Sequence, residues 1–269
     1  AAPLRPHEGA GGELPVQPVL TDMGVASRVE IRIIYDNYPY DQSLETAWGF
    51  SCYLNVDGVG LLFDTGGSAE ILLGNMAKLH INAEDVQIVV ISHIHGDHVG
   101  GLLGFLSVNP NVKVYLPESF PESLKDEVRG CGAEVIEVKG ATRICHGVAT
   151  TGEMGSTIRE QSLLVATQKG LLVITGCAHP GVVNIVKTAI GLTGMDVYLV
   201  LGGFHLAGAP ASAVSSVIDE LKELGVVKVA PCHCSGDHTR QLALEKFGDN
   251  YVEVGVGWGT TITAGGDPY

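Results

Sequence analysis

The sequence predicts an α/β fold in which two β-sheets pack face to face, with helices outside, built from a duplicated β/α unit. Three observations predict it. Strand and helix signals alternate along most of the 269 residues. Segments of the first half recur in the second half in the same order. Histidines fall directly after strand-like runs, where α/β proteins place their sites.

The elements follow in order. Residues 1–27 are rich in glycine and proline and read as an irregular arm, ahead of a single domain over 28–269. Residues 29–35 alternate with a period of two, as a strand does. Residues 51–56 and 60–63 flank Asp57-Gly58, a hairpin turn. Residues 69–79 carry apolar side chains at helical spacing, and the apolar run at 86–91 suits a strand buried on both faces. A strand at 112–116 and a helix at 121–131 come next. Strands at 162–167 and 171–175 enclose the turn Lys169-Gly170. The remainder reads helix 182–190, strand 197–201, helix 211–224, strand 226–230, helix 239–247 and strand 260–263. The duplication is carried by four pairs. LLFDTG (61–66) answers LVITG (172–176), and DVQIVV (85–90) answers DVYLVL (196–201). VKVYLP (112–117) answers VKVAP (227–231), and GAEVIEV (132–138) answers GDNYVEV (248–254).

Composition narrows the function. Apolar residues make up 45% and charged residues 17%, which argues against disorder. The net charge of −14, with no run of Lys or Arg, argues against nucleic acid as a partner. No apolar run approaches the length that spans a membrane. Six irregularly spaced cysteines suggest reduced thiols and a cytoplasmic location; the first residue is not Met, so export stays open. The stretch at 38–48 (YPYDQSLETAW) reads as a pocket wall or a homodimer contact.

The segment ISHIHGDHVGG (91–101) gathers His93, His95, Asp97 and His98 within six positions. Imidazole nitrogen and carboxylate oxygen suit zinc, and also iron or manganese. The turn can aim His93 and His95 at one ion, and Asp97 and His98 at another. Gly96 is expected to permit the turn, and Gly100-Gly101 to let a helix start beneath it. Further donors follow strand ends in the second half: Cys177 and His179, His205, and His233 between Cys232 and Cys234. Two divalent ions held this way activate a hydroxide between them.

The His93-x-His95-x-Asp97-His98 pattern resembles the signature of the metallo-β-lactamase-fold superfamily, over roughly 28–264. Asp64-Thr65-Gly66 and Pro231-Cys-His233 are similar to its other motifs. The resemblance implies an αβ/βα four-layer sandwich and metal ligands at His93, His95, Asp97, His98 and His233, with Asp64 supporting one of the histidines. The motifs around His179, His205 and Pro231–Gly236 resemble a subgroup of metal-dependent hydrolases related to archaeal dihydropterin–ribofuranosylaminobenzene phosphate synthases. Two departures stand out. Cys177 occupies the place of a metal-bridging Asp, so a thiolate bridges the ions or the bridge is missing. No histidine stands in 151–158, and His179 is expected to replace it.

Two activities are consistent with this reading. One is a hydrolase using a metal-bound hydroxide on a phosphoester, lactone or similar ester of a small, anionic substrate. There Asp97 orients the hydroxide, and His205 or a water protonates the leaving group. The other is a transferase joining a dihydropterin methyl diphosphate to a ribofuranosylaminobenzene phosphate. His205 reads equally as a core histidine, and Cys232 and Cys234 read as packing or support.

Overall fold

The computed structural model describes residues 19–265. The first half runs β1 (Arg28–Tyr35), β2 (Ser51–Val56), β3 (Val59–Phe63), α1 (Ala69–Lys78), β4 (Val86–Val90), α2 (Gly96–Val99), α3 (Leu102–Val108), β5 (Lys113–Pro117), α4 (Glu122–Gly130) and β6 (Glu134–Val138). The second runs β7 (Thr142–Cys145), β8 (Val148–Thr150), β9 (Leu163–Thr167), β10 (Gly170–Thr175), α5 (Val182–Thr193), β11 (Val197–Gly203), α6 (Ala211–Glu223), β12 (Lys228–Cys232), α7 (Asp237–Phe247) and β13 (Gly259–Thr263). One sheet has the order β13-β1-β2-β3-β4-β5-β6, the other β12-β11-β10-β9-β8-β7.

The duplication is visible in the pairing. In each half an antiparallel hairpin, β2-β3 or β9-β10, leads through a helix into a parallel strand, β4 or β11. Both parallel pairs slip register at their first residues, Gly60/Leu61 and Leu171/Leu172. Side chains then alternate between layers, as strand geometry requires. Leu61 and Phe63 enter the core between the sheets, where they meet Leu172 and Ile174. Leu62 turns outward under α1 and α3, and Val173 turns outward under α5 and α6. Trp258 also packs between the sheets and is 7% exposed. This is the four-layer sandwich that the pattern predicts. Among the described residues no helix is long and apolar enough to cross a membrane.

Several local expectations change. The fourth repeat pair is unequal, because 248–254 forms a helical turn and a single bridge, Val229 to Tyr251, where its counterpart forms β6. The chain is drawn away there: Val256 bonds to Tyr38 and β13 then joins β1 in the other sheet. The short strands β7 and β8 escape the periodicity argument, being four and three residues long. Of the arm, residues 1–18 lie outside the described residues. Residues 19–27 are not loose: Leu20, Met23 and Ala26 are buried, and Ala26 bridges to Thr167. Gly96 is no requirement of the turn, since a Cβ there meets nothing within 4 Å and its φ is ordinary. Gly101 is one, because a Cβ would stand 2.2 Å from the Thr65 carbonyl.

Candidate metal centre

The strand ends of both halves meet at one edge of the sandwich. Four of the non-glycine residues with left-handed backbone lie there: Asp64 (φ 57), Ala178 (φ 61), His205 (φ 52) and His233 (φ 48). Such conformations cost free energy and persist where surrounding contacts impose them.

His93, His95 and His179 form one group, with ligand atoms within 4.8 Å of one another. His93 Nε2 faces His95 Nδ1 at 3.1 Å. The Ser92 hydroxyl donates to Asp64 Oδ2 at 2.6 Å, so it accepts from His93 Nδ1 at 2.9 Å. That fixes the His93 tautomer with a lone pair on Nε2. Burial, then the neighbouring His98, holds the His93 imidazole far below its usual range, at about 2, so it stays neutral. His179 donates from Nδ1 to Glu160 Oε2 at 2.8 Å, which leaves its Nε2 free.

Asp97, His98, Cys177 and His233 form the second group. His98 Nε2 lies 3.2 Å from His233 Nε2 and 3.2 Å from Cys177 Sγ. Asp97 Oδ2 lies 3.2 Å from His233 Nε2 and 3.5 Å from His98 Nε2. The far nitrogens are engaged. His98 donates from Nδ1 to Asp64 Oδ2 at 2.7 Å, and His233 Nδ1 donates to Asn37 Oδ1 at 3.0 Å. Burial would raise the Asp97 carboxyl, but the His233 hydrogen bond and the His98 charge hold it well below the usual carboxylate range. Asp64, fully buried, is pushed up by burial against the pull of His98 and Ser92.

These donors fit a metal ion. One proton between two nitrogens satisfies a single pair, whereas four donor atoms converge in the second group. Ligands at zinc distances in a tetrahedron stand roughly 3.3–3.8 Å apart, close to the separations found. The imidazoles of His93, His98, His179 and His233 are held by hydroxyl, carboxylate or amide oxygens on their far side, as metal-ligating histidines are. Cys177 lies in the second group and His179 in the first. His205 joins neither: its ring nitrogen gathers with the sulfurs of Cys177 and Cys234, and its ring stands 4.4 Å from that of His179.

Three supporting residues escape the sequence reading. Glu160 is 1% exposed and accepts four hydrogen bonds: from the backbone of Cys177, Ala178 and His179, and from the His179 ring. It lies just beyond 151–158, the segment without a histidine. Ser92 joins Asp64 to His93. Asn37 immediately precedes the stretch YPYDQSLETAW and holds His233 by its ring and its carbonyl oxygen. That stretch is tied down by Tyr38, which donates to Asp237 and lies under Arg240. It brings Trp48, 58% exposed, to 4.8 Å from the His233 ring. No sequence signal marks Ser92 or Asn37.

Comparisons with known proteins place the chain in a family. Residues 49–233 match the model of the metallo-beta-lactamase superfamily. The 7,8-dihydropterin-6-methyl-4-(beta-D-ribofuranosyl)-aminobenzene-5'-phosphate synthase of Methanocaldococcus jannaschii is 27% identical, over 89% of this chain and 98% of its own. A crystal structure described as a metal-dependent hydrolase of the beta-lactamase superfamily superposes with a TM-score of 0.72 at 27% identity, covering 86% of this chain and 98% of that one. The short form of human tRNase Z shares the fold, with a TM-score of 0.59 at 14% identity over 86% of this chain and 98% of that one. With the matched model spanning well over half of its length, the chain belongs to the metallo-beta-lactamase superfamily.

Proposed function

We propose that the protein is a metal-dependent hydrolase of a phosphoester, lactone or similar ester in a small, anionic substrate. One observation carries the reading: two groups of metal-ligating side chains converge side by side, His93, His95 and His179 in one, Asp97, His98, Cys177 and His233 in the other. Two divalent ions bound there, most simply zinc, would lower the pKa of a water and polarise the bond it attacks. The chain's own residues do the rest. Asp97 stays ionised, so it orients the attacking water rather than taking a proton from it. Trp48 walls the open side and keeps the substrate against His233. A water supplies the leaving-group proton, since His205 is engaged with the two thiols.

The test is nitrophenolate release from a bis-nitrophenyl phosphate diester by metal-loaded and chelator-stripped protein. Release is expected to need both the metal and His95, and to fall at least about 100-fold in His95→Ala. Full activity in that variant would make the proposal wrong.

A second reading rests on the synthase relative, which the chain matches over nearly its whole length. There the ions held by the same residues would take the diphosphate of a pterin substrate while an aminobenzene ring displaces it. Metal-replete protein that leaves the diester intact, but joins a dihydropterin methyl diphosphate to a ribofuranosylaminobenzene phosphate, would favour that reading.

A further inference from the structure

Beside the two groups above, a third set of soft donors converges. Cys177 Sγ, Cys234 Sγ and a ring nitrogen of His205 lie within 4.8 Å of one another. They come from three separate strand ends, after β10, β12 and β11. Their approach depends on a missing side chain. A Cβ on Gly203 would stand 2.4 Å from the Gly176 carbonyl, 2.6 Å from Cys234 Sγ and 3.2 Å from Cys177 Cα. Thus the Cys234 sulfur occupies the space that any larger residue at 203 would fill. His205 adopts its left-handed backbone, φ 52, in the same turn, and the residue stays exposed while its ring reaches the thiols. The Cys234 thiol also reaches the Cys177 carbonyl, at 3.6 Å, a weak contact for a buried group.

We propose that Cys177, Cys234 and His205 hold a third metal ion, a thiophilic divalent cation such as zinc or cadmium. Two sulfurs and one imidazole make a softer donor set than either neighbouring group, so the site selects for thiophilic ions. Zinc and cadmium sites of this kind take four ligands. The exposed side of His205 leaves the fourth position to water. Cys177 belongs to both the second and the third donor groups, so its sulfur is the shared atom between two ions. Each thiol releases its proton to solvent as the ion binds, and affinity therefore rises with pH. The proposal stands whichever reaction the centre performs, because it concerns occupancy alone.

Cadmium titration of the reduced, metal-free full-length protein tests it. The wild type is expected to take three equivalents. Cys234→Ser is expected to take two, with the sulfur-to-cadmium charge-transfer absorbance reduced by about half or more, since one of the two thiolates is gone. A wild-type endpoint of two equivalents would overturn the proposal. So would equal stoichiometry and absorbance in the two proteins. Should the variant not fold, the cadmium-113 spectrum of the wild type decides. One resonance shifted to the two-sulfur range is expected, and resonances of ions with one sulfur or none, alone, would refute the site.

Discussion

Glu160→Gln probes the centre without touching a ligand atom. Oε1 of Glu160 accepts from the N–H groups of Cys177 and Ala178, each at 2.8 Å. Oε2 accepts from the His179 N–H at 2.9 Å and from its Nδ1 at 2.8 Å. A glutamine keeps only one of these oxygens. With its oxygen on Cys177 and Ala178, its NH2 faces two donors on His179. The ring can respond by moving its proton to Nε2, the atom that would bind the ion. The backbone N–H of His179 cannot respond. An unsatisfied buried N–H costs about 1–3 kcal/mol, which denaturant unfolding of the metal-free variant should show. Loss of such a supporting carboxylate weakens metal affinity about 10- to 100-fold, about 1.4 to 2.7 kcal/mol. Competition against a chromophoric chelator should find that loss for one ion, with the ion at Asp97, His98 and His233 held as before. Affinities within about twofold of wild type for every ion would refute the reasoning. The acid limb supplies a second check. Burial raises the Glu160 carboxyl, but the His179 ring, His93 and the backbone N–H groups outweigh it and hold it at about 2, against an ordinary 4.5. A depressed carboxyl contributes stability above its unfolded value, lost as pH falls from 4.5 towards 2. That part of the limb should flatten in the glutamine variant.

Two further substitutions follow the same logic. Asp64 accepts from His98 Nδ1 at 2.7 Å, from the Ser92 N–H at 2.7 Å and from the Ser92 hydroxyl at 2.6 Å. Asp64→Asn should therefore cost about 10- to 100-fold in affinity for the ion at His98, read by the same chelator competition; an unchanged affinity would show that His98 orients itself. Asp36 is fully buried, and burial pushes its carboxyl up to about 6 from 3.8. A raised folded pKa contributes stability that is complete below 3.8 and lost as pH rises through 6. Asp36→Asn keeps an oxygen for the N–H groups of Tyr38 and His233, which Oδ1 now accepts. The metal-free variant should gain on the wild type between pH 4 and 7, by up to about 3 kcal/mol. A difference independent of pH would sink that account.

The layers and the clustering of the first-half donor side chains were legible in the sequence for one reason: both are set by short-range patterns. Period-two alternation fixes which of Leu61, Leu62 and Phe63 face the other sheet. The spacing of His93, His95, Asp97 and His98 places four donors in one turn, so a local signal is enough. What stayed hidden depends on contacts between distant segments. Glu160 lies three residues before the start of β9 and binds a loop after β10. Asn37 lies 196 residues from the histidine it holds. A buried acid or amide has no local signature, because the same residue in solvent would look identical in the sequence. Gly96 shows the converse error. Its place in a crowded motif suggested a conformational need, but the need belongs to Gly101, where a Cβ would meet backbone.

The two halves supply the site in different ways, and this explains where the support is needed. The first half delivers its donors from a single turn, already fixed by the end of β4 and by α2. The second half delivers Cys177, His205 and His233 from three separate strand ends, each at or directly before a residue with left-handed backbone. Strained single residues cannot hold a rotamer by themselves, so each needs an anchor of its own. Glu160 anchors 177–179 through three backbone N–H groups. Asn37 and Asp36 anchor His233. His205 has no comparable carboxylate or amide in the described contacts; its ring leans on Cys234 and His179. If an ion supplies that anchor, the ring-proton resonances of His205 should shift in the same step that brings the third equivalent, which follows directly from its place beside the thiols.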